Sequence, residues 1–590
     1  MSPESATAPR LPYRPGIDGL RTVAVMAVLL YHGSVPWAPG GFLGVDIFLV
    51  ISGYLITSLL LVERRQTGTI RLPRFWLRRA RRLLPASFLV IAVSLILGAT
   101  VLPHELRVLR GDGLASLLYV QNWHEIFAHQ SYFQEFQRPS LLRHFWTLSL
   151  EEQFYLVWPP VLLAASAVAR RGRIMLGLAV VGVVSLILMA ILYDPHTDPS
   201  RVYYGTDTRC IGLVVGALLA FVWAPGRLTE RVGPNAGRIL NVAGGTALGL
   251  LVLIMWRTQD FSPWLYRGGF AVVAVLTAVV IAVLVHPAAR LGSVLGWEPL
   301  RWLGVRSYGI YLWHWPIIAM TRPEIDVRLS RWVLVPLQAL AAIALASLSY
   351  KYVEQPIRRG TAVPRLRARL RALEPRTRVL TTSGAGAVAM GLLALVLFRP
   401  TLSSSNASQI IPGSHHRAPK APTRKEIARF PAPRHGAILA VGESVLLGAA
   451  PELERRLGHR RLRVDASVGR QAAEMITTLK AYRQGSGLPP RVIVQIGDNG
   501  PIMGDQPDQL KTVLRGVQRV VLVNVHVPDR WQDPNNAVLA ALVKSWPQAR
   551  LADWNSVASA HPAYLVDGVH ANQQGIDAYA RVVTRALKEP

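Results

Sequence analysis

Apolar stretches recur through the first two thirds of this chain, and most are long enough to cross a membrane. A helix needs about 20 apolar residues to cross roughly 30 Å of hydrocarbon. We place such stretches at residues 20–37, 42–62, 83–102, 144–168, 174–193, 209–224, 238–256, 267–286, 303–321, 332–352 and 379–398. Composition agrees, since 51% of the 590 residues are hydrophobic and only 17% are charged. The sequence therefore predicts a polytopic helical membrane domain, with about ten spans and an eleventh, connecting span.

The positive charge of the chain is arranged as membrane topology predicts. The net charge is +30, and the arginines cluster in the connections 63–82, 170–173 and 358–378. The connections 35–41 and 194–208 hold few basic residues. Basic loops stay in the cytoplasm, so this pattern indicates a cytoplasmic N-terminus and argues against nucleic-acid binding. An odd number of spans then places everything after residue 398 outside the cytoplasm.

The segment between the last apolar stretch and residue 437 is typical of a linker. Residues 399–436 are rich in proline and serine, with scattered charge. The pair His415 and His416 lies in this segment, and the chain has a single cysteine, Cys210. We therefore predict no metal site and no intrachain disulfide. The N-terminus lacks a signal-peptide pattern, so we expect the first apolar stretch to be a retained span.

From residue 437 the apolar pattern changes to short runs typical of buried strands. These runs lie at 437–441, 491–497, 520–525 and 550–554, and helix-compatible segments lie at 446–457, 471–483 and 535–545. Strands that alternate with helices predict an α/β domain of three layers with a parallel sheet. About 150 residues are ample for one such core.

A candidate nucleophile follows the first of these runs. Ser444 lies between an apolar run and a helix-compatible stretch, and a sharp turn between strand and helix is where a nucleophile would lie. Asp567 and His570 are close enough in the sequence for one short turn to present a base and its orienting carboxylate. Gly469 and Asn499 each follow a strand-like run and are candidate oxyanion donors, through a backbone N–H and a side-chain amide.

These four blocks, in this order, resemble the SGNH hydrolase superfamily. The resemblance implies a triad of Ser444, His570 and Asp567, with an oxyanion hole at Gly469 and Asn499. Two residues depart from the usual pattern. Glu443 stands where the family usually has aspartate, and Asp498 stands where threonine is commoner. We expect an adjusted turn at the serine and additional negative charge near the oxyanion hole.

Two ionisable residues lie within or beside the first two apolar stretches. His32 falls within or at the end of the first stretch, and Asp46 falls in the second. Ionisable groups at membrane depth are costly, which makes both candidates for function. A histidine can act as a general base at neutral pH. The sequence leaves open the alternative that His32 only faces an aqueous loop.

The membrane half resembles the acyltransferase 3 family over about residues 12–360. The motifs that carry the resemblance are "IDGLRTVAV", with ten residues between Arg21 and His32, "GGFLGVDIFLVISGYLIT", "RRARRLLPA", "FWTLSLEEQFYLVWP", "SYGIYLWHWP" and "YKYVEQPIRR". Members transfer acyl groups, usually acetyl, to hydroxyls of glycans and other extracytoplasmic acceptors. The resemblance implies cytoplasmic acyl-CoA as the donor substrate and no bound cofactor.

The family pattern also suggests roles for individual residues of the membrane half. His32 would be the essential base or acyl relay, and Asp46 would support the site. The arginines would hold the phosphates of CoA or, alternatively, only set topology; they are Arg21, Arg78, Arg79, Arg81 and Arg82. Glu151 and Glu152 match the paired glutamates of the family and would pair with an arginine. His314 would line the acyl path or be a satisfied interface histidine.

The two resemblances together predict an enzyme of the bacterial cell envelope. The expected domains are a membrane domain (1–360), a basic loop with the eleventh span (361–398), a linker (399–436) and an extracytoplasmic SGNH-like domain (437–590). This arrangement is similar to that of glycan O-acetyltransferases. We expect an O-acyltransferase of the plasma membrane that moves an acyl group from acyl-CoA to a glycan hydroxyl through Ser444. The alternative is a membrane-anchored esterase, and the sequence leaves the glycan unspecified.

Overall fold

The computed structural model describes residues 11–361 and 436–589, together with residues 364, 391 and 396. Short gaps lie at 104, 129, 131, 133–137, 196–197, 225–227, 229–234, 324–325, 328, 468, 528–530 and 567. The predicted eleventh span and the linker therefore lie outside the described residues, apart from 391, 396 and 436. The chain divides into two compact units, one mainly N-terminal and one mainly C-terminal.

The N-terminal unit is helical throughout its regular structure. Its α-helices are α1 (Pro15–His32), α2 (Gly44–Thr67), α3 (Leu72–Thr100), α4 (Leu106–Leu117), α5 (Gln121–Phe127), α6 (Phe145–Val168), α7 (Arg171–Leu192), α8 (Ser200–Tyr204), α9 (Thr206–Arg209), α10 (Ile211–Val222), α11 (Ala236–Arg257), α12 (Phe270–Val285), α13 (Leu291–Leu295), α14 (Glu298–Val305), α15 (Ser307–Met320), α16 (Arg331–Ser349) and α17 (Gln355–Arg358). Short π-helical turns at Leu265–Gly269 and Tyr350–Glu354 precede α12 and α17.

A helix coincides with each predicted span from residue 20 to residue 352. Among the described residues, six helical segments are long and apolar enough to cross a membrane. They are Gly41–Thr67, Leu72–Thr100, Arg171–Leu192, Ala236–Arg257, Leu265–Val285 and Arg331–Arg358. Helix α10 has 12 residues and rises only about 18 Å, which is less than the hydrocarbon thickness. The unit is thus a multi-pass membrane structure, and the full span count stays a prediction.

Small residues allow the central helices α2 and α10 to pack closely. A Cβ added at Gly53 would lie 2.1 Å from the carbonyl oxygen of Leu213, and one at Gly216 would lie 2.1 Å from that of Val50. Such contacts are shorter than any side chain tolerates, so the two backbones approach through glycine alone. Membrane helices associate in this way because their apolar side chains gain little from leaving lipid.

Asp46 on α2 is held by Arg209, the last residue of α9. Arg209 Nη2 lies 3.1 and 3.2 Å from the two carboxylate oxygens of Asp46, and both residues are buried. The Arg209 guanidinium also lies 3.9 Å from the centre of the Phe270 ring. Asp46 therefore forms a structural ion pair, and its predicted support of the membrane site is not seen as a direct contact with that site.

Removing one partner of this buried pair should destabilise the protein strongly. Asp46→Leu leaves the Arg209 charge uncompensated, and we expect a loss of about 3–5 kcal/mol in the free energy of unfolding. The double variant Asp46→Leu/Arg209→Met removes both charges and should recover most of this loss. Thermal unfolding of the full chain in detergent measures both effects.

The matched control is the exposed pair Glu298 and Arg301. Their side chains are 63% and 40% exposed, so Glu298→Leu should change stability by no more than about 1 kcal/mol. If Asp46→Leu were as mild as this control, the ion pair between α2 and α9 would not stabilise the N-terminal unit.

The C-terminal unit is an α/β domain with a parallel sheet, as predicted. In chain order its elements are β1 (Ile438–Gly442), α18 (Ser444–Leu457), β2 (Leu462–Ala466), α19 (Ala472–Gln484), β3 (Arg491–Gln495), α20 (Gln506–Val513), β4 (Arg519–Val523), α21 (Gln532–Lys544), β5 (Ala549–Ala552), α22 (Trp554–Ala560) and α23 (Gln573–Lys588). The five strands are all parallel, in the order β2-β1-β3-β4-β5.

The sheet forms because its central strands are apolar on both faces. All five residues of β1 are buried, and so are four of the five residues in each of β3 and β4. Continuous apolar runs of this kind are typical of parallel strands covered by helices. The strand order reverses beside β1, since the chain goes from β1 to β2 on one side and then to β3 on the other. Ligands bind at such a switch point, outside the carboxyl ends of the strands.

Candidate active sites

The candidate nucleophile lies at the switch point of the sheet. Ser444 is the first residue of α18, and Glu443 before it is extended, with φ −110° and ψ −162°. The chain therefore turns from strand to helix within two residues after Gly442, the last residue of β1. The Ser444 side chain is buried at this turn. This is the position the sequence predicted.

His570 lies within hydrogen-bond distance of the serine. Its Nε2 is 2.9 Å from Ser444 Oγ, although the two residues are 126 positions apart. His570 is itself buried, at 8% exposure, in the loop before α23. The pair has the geometry that a general base and its nucleophile require. Asp567, the predicted third member, lies outside the described residues.

Glu443 links the turn at the serine to the loop after β3. Its Oε1 accepts a hydrogen bond of 2.7 Å from the backbone N–H of Gly497. Glu443 is fully buried, and its Oε2 has no hydrogen-bond partner in the described part of the chain. The longer glutamate side chain thus spans from the end of β1 to the end of β3. It does so without moving Ser444 out of reach of His570.

The predicted oxyanion residues lie at neighbouring strand ends. Asn499 is buried, and its Nδ2 donates a hydrogen bond of 2.9 Å to the carbonyl of Arg470. Gly469 precedes Arg470 and has φ +78°, a left-handed conformation that favours glycine. One amide hydrogen of Asn499 is used by Arg470, which leaves the second as the candidate donor. Whether these groups bind an oxyanion stays a prediction.

Arg470 connects two strand ends beside the serine, and it was not among the residues predicted from the sequence. Its guanidinium donates to the side chain and the carbonyl of Asp465, each at 2.7 Å, and it is 4% exposed. A weaker contact of 3.4 Å reaches the carbonyl of Gly442 at the end of β1. The residue therefore connects the ends of β1 and β2. The available signal was an arginine directly after Gly469, within the segment "VGRQ" at 468–471.

Asn535 from α21 organises the loop after β3. Its Nδ2 donates to the carbonyls of Gly497 and Gly500, at 2.8 and 2.9 Å. Its Oδ1 accepts from the N–H of Ile502 at 2.8 Å. The loop that carries Asn499 is thus held from both sides, by Glu443 and by Asn535. This role also could not be read from the sequence, because it depends on a contact 38 residues away.

Two buried carboxyl groups lie behind the serine. Burial raises the pKa of Asp498 to about 7, although the nearby His570 acts in the opposite direction. Burial, together with the neighbouring Asp498, raises the pKa of Glu443 well above its usual value. Gln495 Nε2 donates to Asp498 Oδ2 at 2.6 Å, and Tyr579 donates to Gln495. The negative charge expected from Asp498 is therefore partly suppressed near neutral pH.

These carboxyl groups should make stability depend on pH. An acid with a raised pKa in the folded state loses stability as pH rises from its unfolded to its folded pKa. The Asp498 contribution is therefore lost between about pH 4 and pH 7, and Glu443 extends the loss to higher pH. Asp498→Asn should reduce the fall in unfolding free energy between pH 5 and pH 8 by on the order of 1–3 kcal/mol. Thermal unfolding of the full chain across this range measures it.

Asp508→Asn is the control for this measurement. Asp508 is an exposed residue in the first turn of α20. Its substitution should leave the slope of stability against pH unchanged. Equal slopes for wild type and Asp498→Asn would show that Asp498 ionises normally in the folded protein.

Several of the predicted membrane-site residues line one cavity in the N-terminal unit. Arg21, Arg79, Arg82 and Glu151 line it, as the motifs suggested. Residues that were not singled out from the sequence complete the polar lining; they are Ser52, Thr147, Tyr155, Ser307, Tyr308, Tyr311, Tyr350, Glu354 and Arg358. The charged residues of the cavity lining are thus four arginines and two glutamates. Such a surface suits an anionic ligand, because guanidinium groups bind phosphates through paired hydrogen bonds.

Other predicted residues lie away from this cavity. Arg78 Nη2 is 3.2 Å from Glu63, which is buried, and Arg81 is exposed. Neither residue lines the cavity, and Glu152 also does not. Glu151 accepts hydrogen bonds from Ser52 and Tyr155, at 3.0 and 3.1 Å. The basic run on α3 therefore divides into two cavity residues, Arg79 and Arg82, and two that are not.

Two predicted histidines form a direct pair. His32 Nδ1 lies 2.9 Å from His314 Nε2, and the ring centroids are 5.1 Å apart. His314 is 1% exposed, so it is a buried partner of His32. Tyr311 connects the pair to the cavity, because it lines the cavity and its ring lies 5.2 Å from that of His314.

A third histidine beside this pair was missed in the sequence. His144 is 2% exposed, and its ring lies 5.9 Å from the ring of His314. Neither of its ring nitrogens has a hydrogen-bond partner among the described residues. It directly precedes the motif "FWTLSLEEQFYLVWP", which was the available signal. Among the described residues, no group of His, Cys, Asp or Glu side chains could hold a metal ion.

Comparison with known sequences identifies the membrane half. Residues 14–351 match the family model for the acyltransferase domain of acyltransferase 3 proteins. The chain belongs to the acyltransferase 3 family. It is therefore an acyltransferase, and its helical unit is the membrane domain of this family.

Relatives match the chain over nearly its whole length. It is 36% identical to a protein of Listeria monocytogenes named peptidoglycan O-acetyltransferase OatA, over 98% of each chain. It is 34% identical to a putative peptidoglycan O-acetyltransferase, YrhL, of Bacillus subtilis, again over 98% of each chain. The enzyme thus belongs with the O-acetyltransferases that combine both units. A solved C-terminal catalytic domain of OatA from Streptococcus pneumoniae, carrying a methylsulfonyl adduct, covers 26% of this chain and 93% of that domain, with 24% identity and a TM-score of 0.24.

Proposed function

We propose that this protein transfers an acetyl group from cytoplasmic acetyl-CoA to a hydroxyl of cell-wall peptidoglycan. The observation that carries the proposal is that one chain holds an arginine-lined membrane cavity and, in another unit, a serine hydrogen bonded to a histidine. An esterase would need only the second of these. The names of the full-length relatives support an acetyl group and a peptidoglycan acceptor.

The donor would bind at the arginine-lined cavity. Arg21 and Arg82 would contact phosphate groups of CoA, together with Arg358 from α17. Tyr311 and Thr147 both line this cavity, with 2.7 Å between their hydroxyl oxygens, and the Tyr311 ring lies beside that of His314. The thioester end of the donor would approach the histidines past these two side chains. As a relay, His32 would accept the acetyl group on a ring nitrogen while CoA leaves as its thiol; as a base, it would take the proton of a hydroxyl that attacks the thioester and so becomes the acetyl carrier, and CoA would again leave as its thiol.

The acceptor reaction would occur at Ser444. Its Oγ attacks the carbonyl of the acetyl group that the membrane domain delivers, while His570 Nε2 takes the hydroxyl proton, and the group that carried the acetyl leaves with that proton. The second amide hydrogen of Asn499 and the N–H of Gly469 would stabilise the oxyanion. A sugar hydroxyl then attacks the acetyl-enzyme, His570 accepts its proton, and Ser444 is regenerated. Asp567 would orient His570. Transfer prevails over hydrolysis when the sugar reaches the ester before water.

The orientation in the membrane follows from the proposal. The N-terminus and the basic connections would be cytoplasmic, which places the donor cavity within reach of acetyl-CoA. Ten spans would return the chain to the cytoplasm, and an eleventh at 379–398 would export the domain from residue 437 onward. The divided domain arrangement would thereby separate donor and acceptor chemistry on the two sides of the membrane.

Arginines of the cavity should control the affinity for the donor. Arg82→Ala removes a charge-assisted contact to phosphate, which is worth about 1.5–3 kcal/mol. We expect KM for acetyl-CoA to rise by about 10- to 100-fold, measured with labelled acetyl-CoA in membranes that contain the enzyme. Arg81→Ala is the matched control, since Arg81 is exposed and does not line the cavity. Equal effects of the two substitutions would exclude the cavity as the donor site.

The amount of ester-linked acetate on peptidoglycan tests the function itself. Cells would carry the wild type, Ser444→Ala, His32→Ala or no protein, and mild base would release the acetate from purified wall. We expect both substitutions to lower acetate to the level without the protein, because both steps are required. Ser559→Ala, at an exposed serine of α22, is the control.

The rival activity predicts a different pattern in the same experiment. An esterase would raise wall acetate when Ser444 is replaced, and replacing His32 would have no effect. Unchanged acetate in both variants would exclude both activities on peptidoglycan.

A further inference from the structure

The pair formed by His32 and His314 has a fixed arrangement of protons. The two residues are 282 positions apart, at the end of α1 and within α15, and the nitrogens that face each other are His32 Nδ1 and His314 Nε2. Their rings are inclined by only 25°. One of the two nitrogens must donate and the other accept. The identity of the donor follows from the other nitrogen of His314.

The second nitrogen of His314 faces a backbone carbonyl. His314 Nδ1 lies 2.5 Å from the carbonyl oxygen of Tyr311. A carbonyl oxygen can only accept, so Nδ1 of His314 carries a hydrogen. A neutral His314 therefore presents a lone pair at Nε2. His32 Nδ1 must then be the donor to it, which leaves the lone pair of a neutral His32 on its Nε2.

We infer that His314 is a positioning residue that holds His32 in the tautomer whose Nε2 is the reactive atom. The inference rests on the proposed function, in which His32 acts as the base or relay. When Nε2 takes up a proton, Nδ1–H still donates to His314, and the charged ring keeps its acceptor. His314 thus has the role that a carboxylate has in a serine triad. It does so without placing a second charge in the membrane domain, where charge is costly.

The surrounding contacts hold this arrangement rigidly. The Tyr311 hydroxyl donates to the carbonyl of His144 at 3.0 Å and lies 2.7 Å from the hydroxyl of Thr147. The residue whose carbonyl orients His314 is therefore itself tied to the start of α6. The Trp315 ring packs edge-on against His32, with centroids 4.7 Å apart. Tyr311 also lines the cavity that contains the four arginines. The contacts that orient His314 therefore extend to the proposed donor site.

Two substitutions of His314 separate positioning from packing. His314→Gln keeps an oxygen that can accept from His32 Nδ1, whereas His314→Leu removes every acceptor and keeps an apolar volume. We expect His314→Gln to retain acetyl transfer within about 10-fold of the wild type. We expect His314→Leu to lose about 100-fold or more, as serine enzymes do when the base is held in the wrong tautomer.

A double variant tests whether His314 acts through His32. Residues that act as one unit give non-additive losses. Transfer of label from acetyl-CoA in membranes should therefore be no slower for His32→Ala/His314→Leu than for His32→Ala alone. The control is His286→Gln, since Nδ1 of His286 only accepts from the backbone N–H of Ala288. Gel filtration and thermal unfolding in detergent confirm that each variant is folded.

The outcomes separate this inference from the function on which it rests. Equal activity of the glutamine and leucine variants would overturn the inference, and so would a further loss in the double variant beyond His32→Ala. Either result with an active wild type leaves the proposed function standing. Failure of the wild type to transfer label would overturn the proposed function and the inference together.

Discussion

Charged side chains in a membrane domain are stable only where another group compensates them, and this constraint determines where the chemistry of the N-terminal unit lies. Asp46 is compensated by Arg209, and Arg78 by Glu63. These pairs connect helices and leave little charge for a ligand. The four arginines of the cavity share its lining with two glutamates, Glu151 and Glu354, and Arg21 also lies 3.7 Å from Asp18. The cavity lining therefore carries an excess of positive charge, and an anionic donor would be bound there.

The pair of His32 and His314 also avoids an additional charged side chain. His32 and His314 share a hydrogen bond, and in the proposed arrangement the carbonyl of Tyr311 sets the direction of that bond. A carboxylate in place of His314 would add a charge that the protein would have to compensate. The C-terminal domain is built differently. There Ser444, hydrogen bonded to His570, lies at the carboxyl end of β1, near two buried carboxyl groups of raised pKa.

Features that depend on strand ends and helix periods could be predicted from the sequence. Ser444 and His570 were identified because each lies next to an element boundary, and a parallel sheet brings such boundaries together. The helices of the membrane unit were located because their apolar runs are long. Strand β2 was recognised only as a strand-like run before Gly469, since only its first residue is fully buried.

Features that depend on distant partners could not be predicted in this way. The sequence did not show that Asp46 pairs with Arg209, 163 positions away, or that Arg358 joins the cavity. It also did not show that Glu443 reaches the backbone of Gly497, which explains how glutamate is accommodated before the serine. The apolar periodicity of a sequence indicates which face of a helix or strand is buried, but it does not indicate which residue of a neighbouring element contacts that face.

The central claim is that one acetyl group passes through both sites, and the acetylation state of Ser444 tests it most directly. Purified full-length protein in lipid vesicles would be mixed with isotope-labelled acetyl-CoA in the absence of glycan, and the peptide that contains Ser444 would be examined by mass spectrometry. The account predicts a labelled acetyl ester on Ser444 in the wild type and none in His32→Ala. Labelling of Ser444 that does not depend on His32, or none in the wild type, would contradict it.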